Sequence, residues 1–220
     1  MKRTSQKFTV TNISEFKQKL LQFSQQFREV IYLESNQYKQ KYSTFDAVFA
    51  FDAFTSIQAD YFNGFEKLKE FKKDLNDWLF GYLTYDLKND VENLKSANYD
   101  GLQFPDLFFF QPKKIVLFSG DEVEFIYLNL CNDEIISDFE KISSLLLFDN
   151  LVQENWIDIK ERISRELYLD KVQKMQQHIQ RGDIYEANFC MEFYAELAKI
   201  NPLVVFEKLK PKKSEYRKYH

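Results

Sequence analysis

Lys114–Leu128 reads KIVLFSGDEVEFIYL. Two runs rich in β-branched and aromatic residues, Lys114 to Phe118 and Val123 to Leu130, flank the turn-forming Ser119-Gly120-Asp121-Glu122. That pattern predicts an antiparallel hairpin. Gln111-Pro112 stands just before it as punctuation, and Asp133 to Leu147 returns to helical spacing. A hairpin between helices argues for α+β, with mixed, mainly antiparallel sheets and flanking helices.

Working outward toward the N-terminus, Asn12 to Phe27 places Ile13, Phe16, Leu20, Phe23 and Phe27 at spacings of three and four. This predicts an amphipathic helix, with Asn12 as N-cap and Glu15 completing a capping box. Val30 to Leu33 is a short strand. Phe45 to Phe54 is a second, with Phe45, Ala47, Phe49, Phe51 and Ala53 expected on one face and Asp46 and Asp52 on the other. Asn63 to Leu75 is helical. Gly81, inside the aromatic stretch Trp78 to Leu87, suggests a bulge or a close backbone approach.

Toward the C-terminus, Asp149 to Asp158 is polar and aperiodic, as a linker would be. Ser164 to Arg181 predicts a long helix that Gly182 ends as a left-handed C′ residue. From Ile184 to Glu196, apolar Tyr185, Ala187, Phe189, Met191, Phe193 and Ala195 alternate with mostly polar neighbours, and this is the clearest strand pattern in the chain. Asn201-Pro202 opens a last short helix.

Composition removes several function classes. Among 220 residues the net charge is −4, so no basic stripe for nucleic acid is indicated. No run reaches the roughly 18 apolar residues of a membrane helix, and the N-terminus lacks the apolar core of a signal peptide. Cys131 and Cys190 are the two cysteines, and His178 and His220 the two histidines, which excludes a disulfide scaffold and a zinc site built from them. The five glycines form no phosphate-binding loop.

Four stretches, in this order, resemble the chorismate-utilising enzymes. They are Tyr32-Leu33-Glu34-Ser35 followed by Tyr42-Ser43-Thr44-Phe45-Asp46, then Trp78 to Leu87 (WLFGYLTYDL), then Phe104-Pro105-Asp106-Leu107, then Gly182 to Phe189 (GDIYEANF). The resemblance spans about residues 8 to 210. It is nearest to the aminodeoxychorismate synthase component I family, with the anthranilate synthase component I family next.

The resemblance implies an enzyme that aminates chorismate to 4-amino-4-deoxychorismate for folate synthesis, or alternatively one that makes anthranilate. It implies magnesium for the complete enzyme, a glutamine amidotransferase partner as ammonia source, and a cytoplasmic location. It also implies a longer protein. Residues 1–150 correspond to the family's N-terminal region, 151–162 to a linker and 163–210 to the start of a chorismate-binding domain. Residues 211–220 match nothing expected, and a frameshift or early stop near Lys210 would account for them. On that reading the catalytic acid, base and magnesium ligands lie beyond this chain, which is inactive alone and incomplete relative to the family fold. A module that binds tryptophan or docks a partner, without catalysis, is the alternative of another class.

The resemblance also implies a tryptophan pocket formed by Ser35, Tyr42, Ser43, Thr44, Phe45 and Asn188. A hydroxyl and loop amides would hold the amino-acid head group, and aromatic rings would flank the indole. The other reading of Ser35 and the loop is a strand end and turn, and of Asn188 a polar side chain bonded to a neighbouring backbone. Tyr82 and Tyr85 read as core aromatics, His178 as an exposed helix histidine, Cys190 as a thiol on the polar side of the strand, and Asp183 as part of the helix-ending turn.

Overall fold

The computed structural model describes residues 1–36, 41, 44–92, 94–95, 97–147 and 156–209. The chain forms two compact units, Met1–Phe148 and Asp149–His220.

In the first unit the elements run β1 (Arg3–Thr9), α1 (Ile13–Ser24), β2 (Val30–Glu34), β3 (Ala47–Ala59), α2 (Gly64–Leu75), β4 (Phe80–Leu83), α3 (Lys88–Val91), β5 (Leu107–Ser119), β6 (Glu122–Leu128) and α4 (Glu134–Ser144). One antiparallel sheet takes the order β1-β6-β5-β3-β2, and β4 pairs with the first part of β5. The β5–β6 hairpin is at its centre, as the sequence predicts. Gly120 at φ +60° makes its two-residue turn. The fold is therefore α+β and mainly antiparallel.

Helices α1 and α4 cover one face of the sheet. Asn12 caps α1, accepting from the Glu15 amide at 3.1 Å while its own amide donates to the Glu15 carboxylate at 3.1 Å. Phe16, Leu20 and Leu21 then point at the sheet and are buried. Phe8, Phe16, Phe49, Phe51, Phe118 and Phe125 fill this layer, with Phe139 of α4 stacked on Phe8 at 3.9 Å. Each fully buried Phe contributes about 1.5–3 kcal/mol, so this layer carries much of the stability.

The opposite face is also apolar at its centre. Val48, Ala50, Phe80, Phe110 and Ile115 form a second buried cluster. Residues 47–51 are therefore buried on both faces, which hides the expected alternation. Phe45 and Ala53 pack against this second cluster, not beside Phe49 and Phe51. The cause at Ala53 is a bulge: Asp52 has φ +60° and the β3–β5 register shifts between Ala53 and Thr55. The Asp52 carboxylate holds Lys113 at 2.9 Å.

Two further expectations are corrected, and the alternatives left open at Gly81 are decided. Strand β5 starts at Leu107 and passes through Pro112, because β4 ends and β6 begins on either side of that position. Gly81 sits in no bulge; it makes a close approach, since a Cβ there would lie 2.0 Å from the Phe108 carbonyl oxygen. Tyr82 is half-exposed and Tyr85 is 84% exposed, because among the described residues β4 pairs with β5 alone and Tyr85 lies beyond its end. Lys88 lies over the Tyr85 ring at 4.8 Å.

The second unit contains β7 (Lys160–Glu161), α5 (Arg165–Arg181), β8 (Phe193–Tyr194) and α6 (Pro202–Leu209). Ser164 and Gly182 cap α5 as the sequence predicts, with Gly182 at φ +80°. The expected strand from Ile184 to Glu196 is reduced to Phe193–Tyr194. A strand needs a partner edge, and the two residues of β7 are the edge it finds among the described residues. Arg162 reinforces that contact with a fork to Glu192 at 2.8 and 3.0 Å, and its guanidinium stacks on Tyr194 at 3.7 Å.

Candidate functional site

The sheet face opposite α1 and α4 carries the candidate site. Tyr32 and Glu34 face α1: Tyr32 stacks on Phe49 at 4.1 Å, and Glu34 pairs with Lys17 at 2.8 Å. Alternation along β2 then puts Ile31, Leu33 and Ser35 on the other face. Ile31 packs there against Val48 and Ala50.

Ser35 lies one residue beyond β2, where its amide donates to the Asp46 carbonyl at 2.9 Å. Asp46 in turn donates its amide to the Phe118 carbonyl at 2.7 Å and accepts the Gly120 amide on its carboxylate at 2.9 Å. Ser119 Oγ donates to the Thr44 carbonyl at 3.4 Å. The segment Thr44–Asp46 is thus pinned between the end of β2 and the hairpin turn.

A groove of about 350 Å³ opens beside this segment. Its lining combines Thr44, Phe45, Trp78, Leu117 and Ser119 with the charged Lys7, Glu122 and Glu124. Lys7 pairs with Glu122 at 2.6 Å, and that hydrogen bond holds its ammonium pKa above the ordinary 10.5. Trp78 is 41% exposed and stacks on Phe80 with centroids 6.0 Å apart. The groove therefore offers aromatic surface with both charge signs in its lining.

Among the expected pocket residues, Thr44 and Phe45 line the groove, and Ser35 is joined to it through Asp46. Tyr42 and Ser43 lie outside the described residues. Asn188 belongs to the second unit, where it is exposed and outside any strand, not on a central-sheet strand as expected. Trp78 as a groove wall was missed. Its signal was its place at the head of the recognised aromatic stretch, two residues before the strand.

A larger polar depression of about 700 Å³ sits near Asp60, Asp100 and Asp106. Two of its carboxylates are used by the fold: Asp106 takes the Thr84 hydroxyl at 2.7 Å and the Tyr61 amide at 3.0 Å, and Asp100 takes the Leu102 and Gln103 amides at 3.0 Å. His178 is half-exposed and hydrogen-bonded to Asp183 at 2.7 Å, with Arg181 completing the cluster. Arg181 and His178 hold the Asp183 carboxyl below its ordinary value, a helix-ending arrangement consistent with its place in the turn.

A buried ionic cluster lies on the helix side. Lys114 bonds Asp138 at 2.7 Å and Glu134 at closer range, and Tyr127 donates to Asp138 at 3.0 Å. Burial pulls the Lys114 ammonium down, but the bonds to Asp138 and Glu134 outweigh it and hold it above 10.5. Among the described residues no three His, Cys, Asp or Glu groups converge as metal ligands.

A family model described as chorismate binding enzyme matches residues 28–220. The chain belongs to the chorismate binding enzyme family. It is also similar to an anthranilate synthase component I-like protein of Synechocystis sp. (strain ATCC 27184 / PCC 6803 / Kazusa), 28% identical over 138 residues. That match covers 60% of this chain and 27% of the relative, so the chain spans about a quarter of the relative it matches. Among the described residues no helix is long and apolar enough to cross a membrane.

Proposed function

We propose that this chain carries the amino-acid-binding portion of a component I enzyme that aminates chorismate to 4-amino-4-deoxychorismate. In the complete enzyme a glutamine amidotransferase partner supplies ammonia, magnesium engages the substrate carboxylate, and the cytoplasm is the setting. The succession of WLFGYLTYDL and FPDLFFF favours this branch. The name of the Synechocystis relative favours anthranilate formation as the second reading.

Removing the C4 hydroxyl of a dianionic substrate needs an acid, a base and a metal placed together. The described residues are suited to a different task. The observation that carries the reading is the groove beside Thr44, Phe45 and Trp78. Its aromatic lining fits an indole, and its Lys7 and Glu124 fit the two charges of an amino acid. L-tryptophan is the ligand this combination selects.

The test is to titrate the 220-residue chain with L-tryptophan and, separately, to incubate it with chorismate, magnesium and ammonia. Binding of tryptophan without formation of an aminated product supports the reading. Chorismate turnover that a single substitution in the chain abolishes would overturn it.

A further inference from the structure

We infer that Arg3 is a positioning residue for Trp78, the aromatic wall of the groove, acting through Asp77 without touching the ligand. The inference rests on the groove being the binding site.

Arg3 is remote in sequence and its side chain is 9% exposed. A buried guanidinium is tolerated when its donors are all engaged. Here Nε donates to Asp77 Oδ1 at 2.8 Å and Nη2 to Asp77 Oδ2 at 2.9 Å, a two-pronged contact. The remaining donors reach the carbonyls of Pro112 at 2.7 Å, Ile126 at 3.3 Å and Lys113 at 3.4 Å. Those carbonyls lie where β4 has ended along β5 and β6 takes over. Arg3 therefore fills a gap in the sheet and anchors Asp77 within it.

Asp77 is held by two further partners and by a second contact from Arg3. It accepts from Gln111 Nε2 at 2.5 Å, from the backbone of Trp78, and from Arg3 again at 3.1 Å. It directly precedes Trp78, so fixing its carboxylate fixes the peptide from which the indole projects. The indole is too exposed for packing alone to hold it, and its stacking on Phe80 leaves one face to the groove. Without the fork, Asp77 is a buried charge with no counter-ion and only Gln111 and the Trp78 backbone to hold it, so it is driven toward water, carrying Trp78 with it.

The two tryptophans make a direct test possible. In a Trp156→Phe chain labelled with 5-fluorotryptophan, the single ¹⁹F resonance reports Trp78, and titration with L-tryptophan gives a dissociation constant. Arg3→Met is expected to move the ligand-free resonance and to weaken binding by about tenfold, the effect of about one lost charge-assisted bond. Arg3→Lys, which keeps the charge without the fork, is expected to fall between. Ile142→Val, a core change under α4, should leave the resonance in place. If Arg3→Met does not fold, Asp77→Asn serves in its place with the same expected shift. An unmoved resonance in the folded Arg3 and Asp77 variants overturns the inference. Absence of any response to tryptophan in the parent chain defeats the groove reading instead, while the ligand-free shift still decides the role of Arg3.

Discussion

The Ser35 amide donates to the Asp46 carbonyl at 2.9 Å, which carries the β2–β3 pairing one step past Glu34 and Ala47. This contact joins two residues of the recognised pattern that have ten residues of chain (36–45) between them. It uses the backbone, so the Ser35 hydroxyl is not needed to hold the strand end.

Replacing Ser35 with Ala should therefore leave stability within about 0.5 kcal/mol. Tryptophan binding should weaken by about 0.5–1.5 kcal/mol, or by up to about 3 if the hydroxyl meets a charged group. Calorimetric titration and a urea melt measure the two. A large stability loss with unchanged binding would return Ser35 to a structural role.

Lys114→Met should be costly. Lys114 and Asp138 have side chains 4% and 3% exposed, and removing one leaves the other as a poorly compensated buried charge. The expected loss is about 3–5 kcal/mol in the first unit's urea transition. A change below about 1 kcal/mol would mean that Tyr127 and Lys141 suffice to hold Asp138.

Alkaline pH should unfold the first unit by the same cluster. Lys114 has its pKa raised above 10.5, so its contribution is fully present below that value and lost as pH climbs through the raised one. Burial, aided by Asp138, likewise raises Tyr127 above 10.0 and adds a loss in the same direction. At the acid end, burial pushes Asp77 up, but Arg3 and Gln111 outweigh it and set it below 3.8. Its contribution is present above 3.8 and lost as pH falls through the lowered value. Melting temperature against pH should show a plateau that breaks above about pH 10; a break near neutrality would contradict the assignment.

Gly81→Ala would place a methyl 2.0 Å from the Phe108 carbonyl oxygen and 2.6 Å from Phe109 Cα. Both are backbone atoms and cannot swing aside. The expected cost is about 1–3 kcal/mol or more, with β4 separating from β5. A variant as stable as the parent chain would show that the β4–β5 contact is looser than the geometry indicates.

The parts of the fold governed by local chemistry were legible in the sequence. Asn12 with Glu15, Ser164 with Gly182, and Gly120 in its turn each mark an element end by a contact within a few residues. What escaped depends on partners far away. Strand β1 shows little apolar alternation because it is an edge whose residues are largely exposed. Ile184 to Glu196 alternates well, but alternation specifies a strand's faces and leaves its edge partner unspecified. The Lys114 cluster had one readable sign: Asp138 falls between Ile135 and Ile142 at core-facing helical spacing. The groove was half legible, through Thr44 and Phe45, while the Trp78 wall required the pairing of β4 with β5.

Amide chemical-shift mapping of the 220-residue chain with L-tryptophan tests the binding claim most directly. The account predicts shifts gathered at Ser35, Thr44, Phe45, Trp78 and Ser119, on the sheet face away from α1. No shifts at millimolar tryptophan, or shifts confined to residues 156–209, would contradict it.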